Sequence, residues 1–285
     1  MTTPADPPVT ITAARSRLTR PTRFLADWWH DTARAPRFAW QLFRRVLNIQ
    51  FRHSSVGLLL AFAPATITAL IFAYARRTHL FNDDSGGVNS AFYGGFGILI
   101  SQAFVEAFNA GRRLFVAYQG ILRRQVTAVE GPLLATVFEV LFHDAIRIVV
   151  MAGLFAAFRV APSSALPLAI WGLVGVSLAG LGIGLLLAAP SALQPDLNAL
   201  ASGLPIVLFT VAPVFLIPPP DSLLGRIHAA NPLAWLFDGI RAAAYGGPGS
   251  LAAAAVGPMV AFLLFVAGWC FCRVALPHIV ERLAG

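Results

Sequence analysis

Residues 44–72 read RRVLNIQFRHSSVGLLLAFAPATITALIF. Two arginines open the stretch, and after His53-Ser54-Ser55 no charged residue follows up to Phe72. About 20 predominantly apolar residues cross a bilayer core as a helix, so 55–75 reads as a first crossing that begins beside basic residues. At 100° per residue, Arg37, Gln41, Arg44, Arg45, Asn48 and Arg52 share an arc roughly 100° wide. Phe38, Trp40, Leu42, Phe43, Val46, Leu47, Ile49 and Phe51 fill the remainder, and only Gln50 is on the wrong side. Residues 37–54 are therefore expected to form an amphipathic helix in the cytoplasmic interface, with Arg44, Arg45 and Arg52 toward headgroups. Such a helix suits either a peripheral anchor or the docking of a partner. Gly57 begins the crossing.

The rest of the chain agrees with a membrane setting. Of 285 residues, 57% are hydrophobic and 12% charged, about half the charge of a soluble domain. Five further apolar stretches can span: 91–111, 132–158, 164–189, 198–217 and 250–276. Period-2 alternation is absent, so helices rather than strands are expected. The organisation is an all-α integral membrane domain over 55–276, with a disordered Pro- and Arg-rich cytoplasmic tail at 1–36 and a short cytoplasmic tail at 277–285. The tail at 1–36 has no apolar core of a signal peptide.

All 21 basic residues are Arg. Placing the N-terminus inside puts 15 of them on the cytoplasmic side and five outside, with Arg147 within a span. This asymmetry favours both termini inside. The charge lies beside spans, so it is read as orienting rather than as binding nucleic acid. With no Lys, the chain cannot build a P-loop, whose Lys reaches the β/γ-phosphates.

Two connecting segments stand out. The inner one, 111–131, reads GRRLFVAYQGILRRQVTAVEG. Leu114, Phe115, Ala117, Tyr118, Ile121 and Leu122 recur at helical spacing between Arg112-Arg113 and Arg123-Arg124. A short helix there would present a mixed apolar and basic face to another protein, or grip anionic lipid. Pro132 fits the first turn of the helix that follows. The outer segment, 218–249, is too polar to span and too apolar for a free loop. Two short helices separated at Asn231-Pro232 suit it, as a re-entrant or surface-lying hairpin with Trp235, Phe237 and Tyr245 at the outer interface.

Inside the third span, Glu139, His143 and Arg147 share a face at i, i+4, i+8, and Asp144 is i−3 to Arg147. Each charge near the bilayer centre costs about 2.5–3.5 kcal/mol, so that face must meet protein or water. An internal ion-pair network is favoured over a polar substrate path or a proton relay. Glu106, flanked by Gln102 and Asn109 in the second span, reads as a packing or interfacial group. Gly180-x-x-x-Gly184 is a close-packing signal. Cys270 and Cys272 read as lipid-facing or packing thiols. There is no HExxH, no Cys/His cluster with metal spacing, and no Gly-x-Ser-Gly around Ser202.

This order of parts resembles the ABC-2 permeases that export polysaccharides. The resemblance spans about 37–275. Its carriers are FRHSSVGLLLAFAP with Gly57 and Pro64, GILRR leading into GPLLATVFEVLFHDAI with Asp144, and APVFLIPPPDSLLGRIHAANPLAWLFDGIRAAAYGG. Leu60 stands where many members have Trp, and APSALQPDLNAL keeps only Asp196 of a basic-aromatic element common between helices four and five. The resemblance implies a homodimeric permease in the bacterial cytoplasmic (inner) membrane that pairs with two copies of a separate ATPase. ATP and Mg would be held there, with no cofactor on this chain. It implies coupling through Phe115, Tyr118, Arg123 and Arg124, and an outer gate around Asn231, Pro232, Trp235, Asp238 and Arg241. The expected cargo is a lipid-linked or amphiphilic glycan, with a drug or lipid as the alternative, and an ion-coupled secondary carrier is the competing class.

Overall fold

The computed structural model describes residues 21–51, 84–85, 88–124, 129–211, 214, 221–247 and 249–284, with isolated positions 63, 66, 67, 70, 71 and 74. The first expected crossing, 55–75, lies outside the described residues apart from those six positions, which are helical. Arg52, Gly57 and Pro64 lie outside them too.

Among the described residues the chain is built of helices, with one two-residue antiparallel pair, β1 (Asp84–Ser85) and β2 (Val88–Asn89). The helices are α1 (Pro21–Phe51), α2 (Ser90–Arg112), α3 (Leu114–Ala117), α4 (Gln119–Arg124), α5 (Glu130–Phe158), α6 (Leu166–Leu193), α7 (Pro195–Val211), α8 (Leu223–Ala230), α9 (Pro232–Tyr245) and α10 (Leu251–Ala284). Four of them, α2, α5, α6 and α10, are long and apolar enough to cross a membrane. They coincide with the second, third, fourth and sixth expected spans. The chain is a helical membrane protein.

The fifth expected span, 198–217, corresponds to α7, whose 17 residues give about 25 Å of helix. That is at the lower end of what crosses a hydrocarbon core.

The N-terminal helix is longer than its sequence pattern suggested. It begins at Pro21, so residues 21–36, expected in the disordered tail, are helical. Tertiary contacts account for the extension. Trp28 meets Trp269 of α10 edge-on at 5.5 Å, and Asp31 pairs with Arg273 at 2.6 Å. Further along, Ala35, Ala39, Leu42 and Phe43 are buried, and Phe43 packs on Phe138 and Phe142 of α5. Arg37, Gln41, Arg44, Arg45 and Asn48 point outward on the opposite side.

α6 is the centre of the bundle. Its apolar residues face all directions, and it packs on α2, α9 and α10 while Ile170 and Trp171 near its start stay exposed. Lipid offers no hydrophobic drive between helices, so close contact of backbones supplies the attraction. Gly180 and Gly184 rest directly on the carbonyls of Phe104 and Phe108 in α2. On another face, a Cβ at Gly182 would stand 2.8 Å from the Phe265 nitrogen of α10. No larger residue fits either contact.

Two apolar cores result. One joins α2, the C-terminal half of α5, α9 and the N-terminal halves of α6 and α10. It contains an aromatic group in which Phe92 and Phe96 meet Phe155 and Tyr245 at 5.2–5.9 Å. The other joins α1, α3, α4, the N-terminal half of α5 and the C-terminal halves of α6 and α10.

Candidate functional site

Four arginines are buried, and three of them, Arg147, Arg241 and Arg273, organise the polar chemistry. Arg147 lies past the middle of α5, 3% exposed, and donates to Asp144 Oδ1 at 2.8 Å one turn earlier. Its other nitrogen reaches across to Glu106 of α2 and, at 3.5 Å, to the Gln102 carbonyl. The expected Asp144–Arg147 pair is present, and it is larger than expected because Glu106 belongs to it. Asp144 is equally enclosed. Its Oδ2 faces Ser177 of α6 but meets no hydrogen-bond donor in good geometry. Glu139 and His143 remain half-buried at the edge of this network.

The second node is at the expected outer gate. Asn231 breaks the helix as its sequence suggests: its Oδ1 accepts from Leu233 N at 3.0 Å, and Pro232 occupies the first turn of α9. This is an N-cap followed by Pro where a free N–H is not missed. Ser222 caps α8 in the same way. Pro232 and Trp235 point outward, whereas Asp238 turns inward and Arg241 is fully buried. The Arg241 guanidinium lies 3.8 Å over the Tyr93 ring of α2 and donates to the Val214 carbonyl at 3.1 Å. It pairs with Asp238 at 3.3 Å, which in turn meets His228 of α8 at 3.0 Å. α9, 14 residues long, is too short to span. Burial pushes the Asp238 carboxyl above its ordinary range, while Arg241 and then His228 pull it back.

The third node escaped the sequence reading. Arg273 of α10, 5% exposed, joins Glu130 at the start of α5 and Asp31 of α1. Phe24 lies 5.5 Å from its guanidinium. One arginine thus fastens α1 to two bundle helices. Arg112, also buried, ties the end of α2 to Asn198 of α7 through its side chain and its carbonyl.

The inner segment folds as two short helices, but its apolar side is turned the other way from the expected docking face. Leu114, Phe115, Tyr118 and Leu122 are buried in the bundle. Burial and then the charge of Glu139 push the Tyr118 phenol up to about 12, with a hydrogen bond to Thr136 opposing them. Phe115 and Tyr118 therefore present nothing to a partner. The reason is physical: an amphipathic stripe beside a helical bundle gains most by packing onto that bundle. The face left accessible is Arg113, Val116, Ala117 and Gly120. The side chains of Arg123 and Arg124 lie outside the described residues.

Among the described residues no group of His, Cys, Asp and Glu could hold a metal ion. No protein-family model matches the chain, and no characterised protein matches it significantly in sequence.

Proposed function

We propose that this chain is the permease subunit of an ABC exporter of the ABC-2 type. It moves a lipid-linked or amphiphilic glycan outward from a bacterial inner membrane, as a homodimer with two copies of a separate ATPase that hold ATP and Mg. In this reading there are six crossings with both termini inside, the first over 55–75 and the fifth built on α7. The hairpin of α8 and α9 is re-entrant from the outer side, and α1 lies along the inner interface.

The observation that carries the reading is the platform at one end of the bundle. α1, α3 and α4 pack together there on the ends of α5, α6 and α10, and the Arg273 node fastens α1 to them. Its outer surface is basic, with Arg34, Arg37, Arg44, Arg45 and Arg113 exposed. A separate motor needs a stiff surface of this kind to push on, whereas an ion-driven carrier does not. The intramembrane carboxylates favour one second reading within the same machinery, export of a drug or other lipid in place of a glycan.

The test is energy supply. The purified chain is expected to hydrolyse no ATP alone and to support ATP-driven transport only with a P-loop subunit. Robust hydrolysis by the chain alone, or transport driven by a proton gradient without ATP, would sink the reading.

A further inference from the structure

α5 carries a strip of exposed apolar residues, Leu141, Ala145, Val149, Ala152 and Ala156. At 100° per residue they fit an arc of about 80°, over about 24 Å of helix. A bilayer core is about 30 Å thick, so this is the face of α5 that suits lipid. Phe138 lies on the same line, yet none of residues 129–140 is exposed. α1 crosses that end of α5. Phe38 rests on Gly131, and Trp40 meets Phe138 edge-on at 6.0 Å. From Gly131 to Phe138 is about 10 Å along α5, the width of one helix.

These contacts fix how α1 is rolled. Phe38 marks the edge away from the apolar strip, and Trp40, about 160° round the helix, marks the edge toward it. The exposed residues along the Trp40 edge are Trp29, at 74%, Pro36, and Trp40 itself, at 51%. Exposed tryptophans next to a lipid face belong at the membrane–water boundary. On the side of α1 away from the bundle, Gln41, Arg44, Arg45 and Asn48, with Ile49, line a shallow groove. Arg44 is one turn from Trp40. No carboxylate lines this groove. The exposed Asp27 of α1 lies about 25 Å before Arg44, and Asp31 is held by Arg273. Glu139 of α5, about 100° round that helix from Phe138, interacts with Tyr118 and His143.

We propose that α1 binds an anionic phospholipid of the inner leaflet, with Trp29 and Trp40 in the interface and the headgroup phosphate in the groove. The groove offers guanidinium and amide donors, and an arginine fork matches phosphate oxygens. A zwitterionic headgroup brings its own cation, which Arg44 and Arg45 repel, whereas an anionic one meets both arginines uncompensated. Arg34 and Arg113 remain for a cytoplasmic partner. The proposal rests on the placement of α1 along the inner interface in the reading above, not on the motor.

The test uses the full chain, without any ATPase, in nanodiscs of phosphatidylcholine and phosphatidylglycerol. Brominated acyl chains are placed on one lipid or the other at equal mole fraction. Quenching of Trp29 and Trp40 is the difference between the chain and its Trp29→Phe, Trp40→Phe variant. Brominated phosphatidylglycerol is expected to quench at least about twofold more than brominated phosphatidylcholine. Arg44→Gln with Arg45→Gln, both exposed, should abolish that preference and leave the melting temperature unchanged. No quenching by either lipid overturns the placement of the Trp edge, and equal quenching in the wild type overturns the anionic selection. A preference that persists in the double variant would leave the arginines to an acidic protein surface and overturn the groove as the lipid site. One abolished by soluble glycerol phosphate would mean a free-phosphate site and overturn the lipid assignment. Failure of ATP coupling would sink the permease reading and leave these ratios unchanged, so the two failures are distinguishable.

Discussion

Arg147→Met leaves Asp144 with no cation in contact, deep in the bundle and 2% exposed. Breaking a buried pair in this way costs about 3–5 kcal/mol. Glu106 also loses its partner, but at 44% side-chain exposure water replaces most of the interaction, and its share is about 1 kcal/mol or less. Met fills much of the Arg volume, so a cavity adds little. Against a typical total stability of about 5–15 kcal/mol, the loss should appear as a sharply lower folded yield. Adding Asp144→Leu removes the orphaned carboxylate and should restore most of that yield. The expected order of damage is Arg147→Met first, Asp144→Asn next because Glu106 still holds the arginine, and Glu106→Gln last. Monodisperse yield and thermal unfolding in detergent measure all four variants. Wild-type yield and melting temperature for Arg147→Met would refute the reasoning, and full folding with lost transport would make these charges part of the path itself. Activity that titrates between about pH 5 and 8 and vanishes in His143→Gln would instead mark a proton relay.

Arg273→Met should orphan the buried Glu130, costing about 3–5 kcal/mol, and should free α1; limited trypsin digestion would then cut at Arg34 and Arg37 well before the wild type is cut. Val116→Asp, on the accessible side of α3, should leave folding intact and uncouple ATP hydrolysis from transport. Phe115→Asp, fully buried, should instead abolish folded yield; equal yields for the two variants would contradict the packing of α3. Gly184→Val should force α6 away from the Phe108 carbonyl, an overpacking cost of about 1–3 kcal/mol, readable as a lower melting temperature.

The long spans were legible because each carries its own signal, an apolar run ending in polar or helix-breaking residues. The break at Asn231-Pro232 was legible for the same local reason, a capping side chain followed by Pro. So was the i, i+3 relation of Asp144 and Arg147, since one helix fixes it. Pairings between helices were not. Nothing along the chain links Glu130 to Arg273, 143 positions apart, and Glu106 meets Arg147 only because α2 and α5 lie side by side. The stripe in 111–124 shows the limit of amphipathicity. Its period revealed a helix with an apolar side, while the surface that side covers depended on which neighbour lay within reach. The helical stretch before Arg37 was missed because Trp28 and Asp31 gain their partners from α10, not from their own sequence.

The exclusive use of arginine has a structural consequence at the three buried nodes. Arg147 contacts Asp144, Glu106 and the Gln102 carbonyl; Arg241 contacts Asp238, the Val214 carbonyl and the Tyr93 face. Arg273 contacts Glu130, Asp31 and the Phe24 face. Each guanidinium thus joins groups from different parts of the chain at once, using separate edges of one planar fork and, in two cases, its flat face on a ring. An ammonium is a compact, strongly hydrated point charge without that fork or face. Its three donors radiate from one nitrogen, so it cannot reach partners set on separate edges of a fork or lie flat on a ring. The nodes also lie at different places along the bundle: Arg273 beside the platform, Arg147 within α5, and Arg241 where α9 packs on α6 and α10 and reaches Tyr93 of α2. Each ties groups on different elements or turns of the bundle together. If the platform is pushed by a motor, the force reaches α5 and α10 directly through Arg273. α5 also carries Arg147, so movement at the platform and the Asp144–Arg147–Glu106 network share one helix.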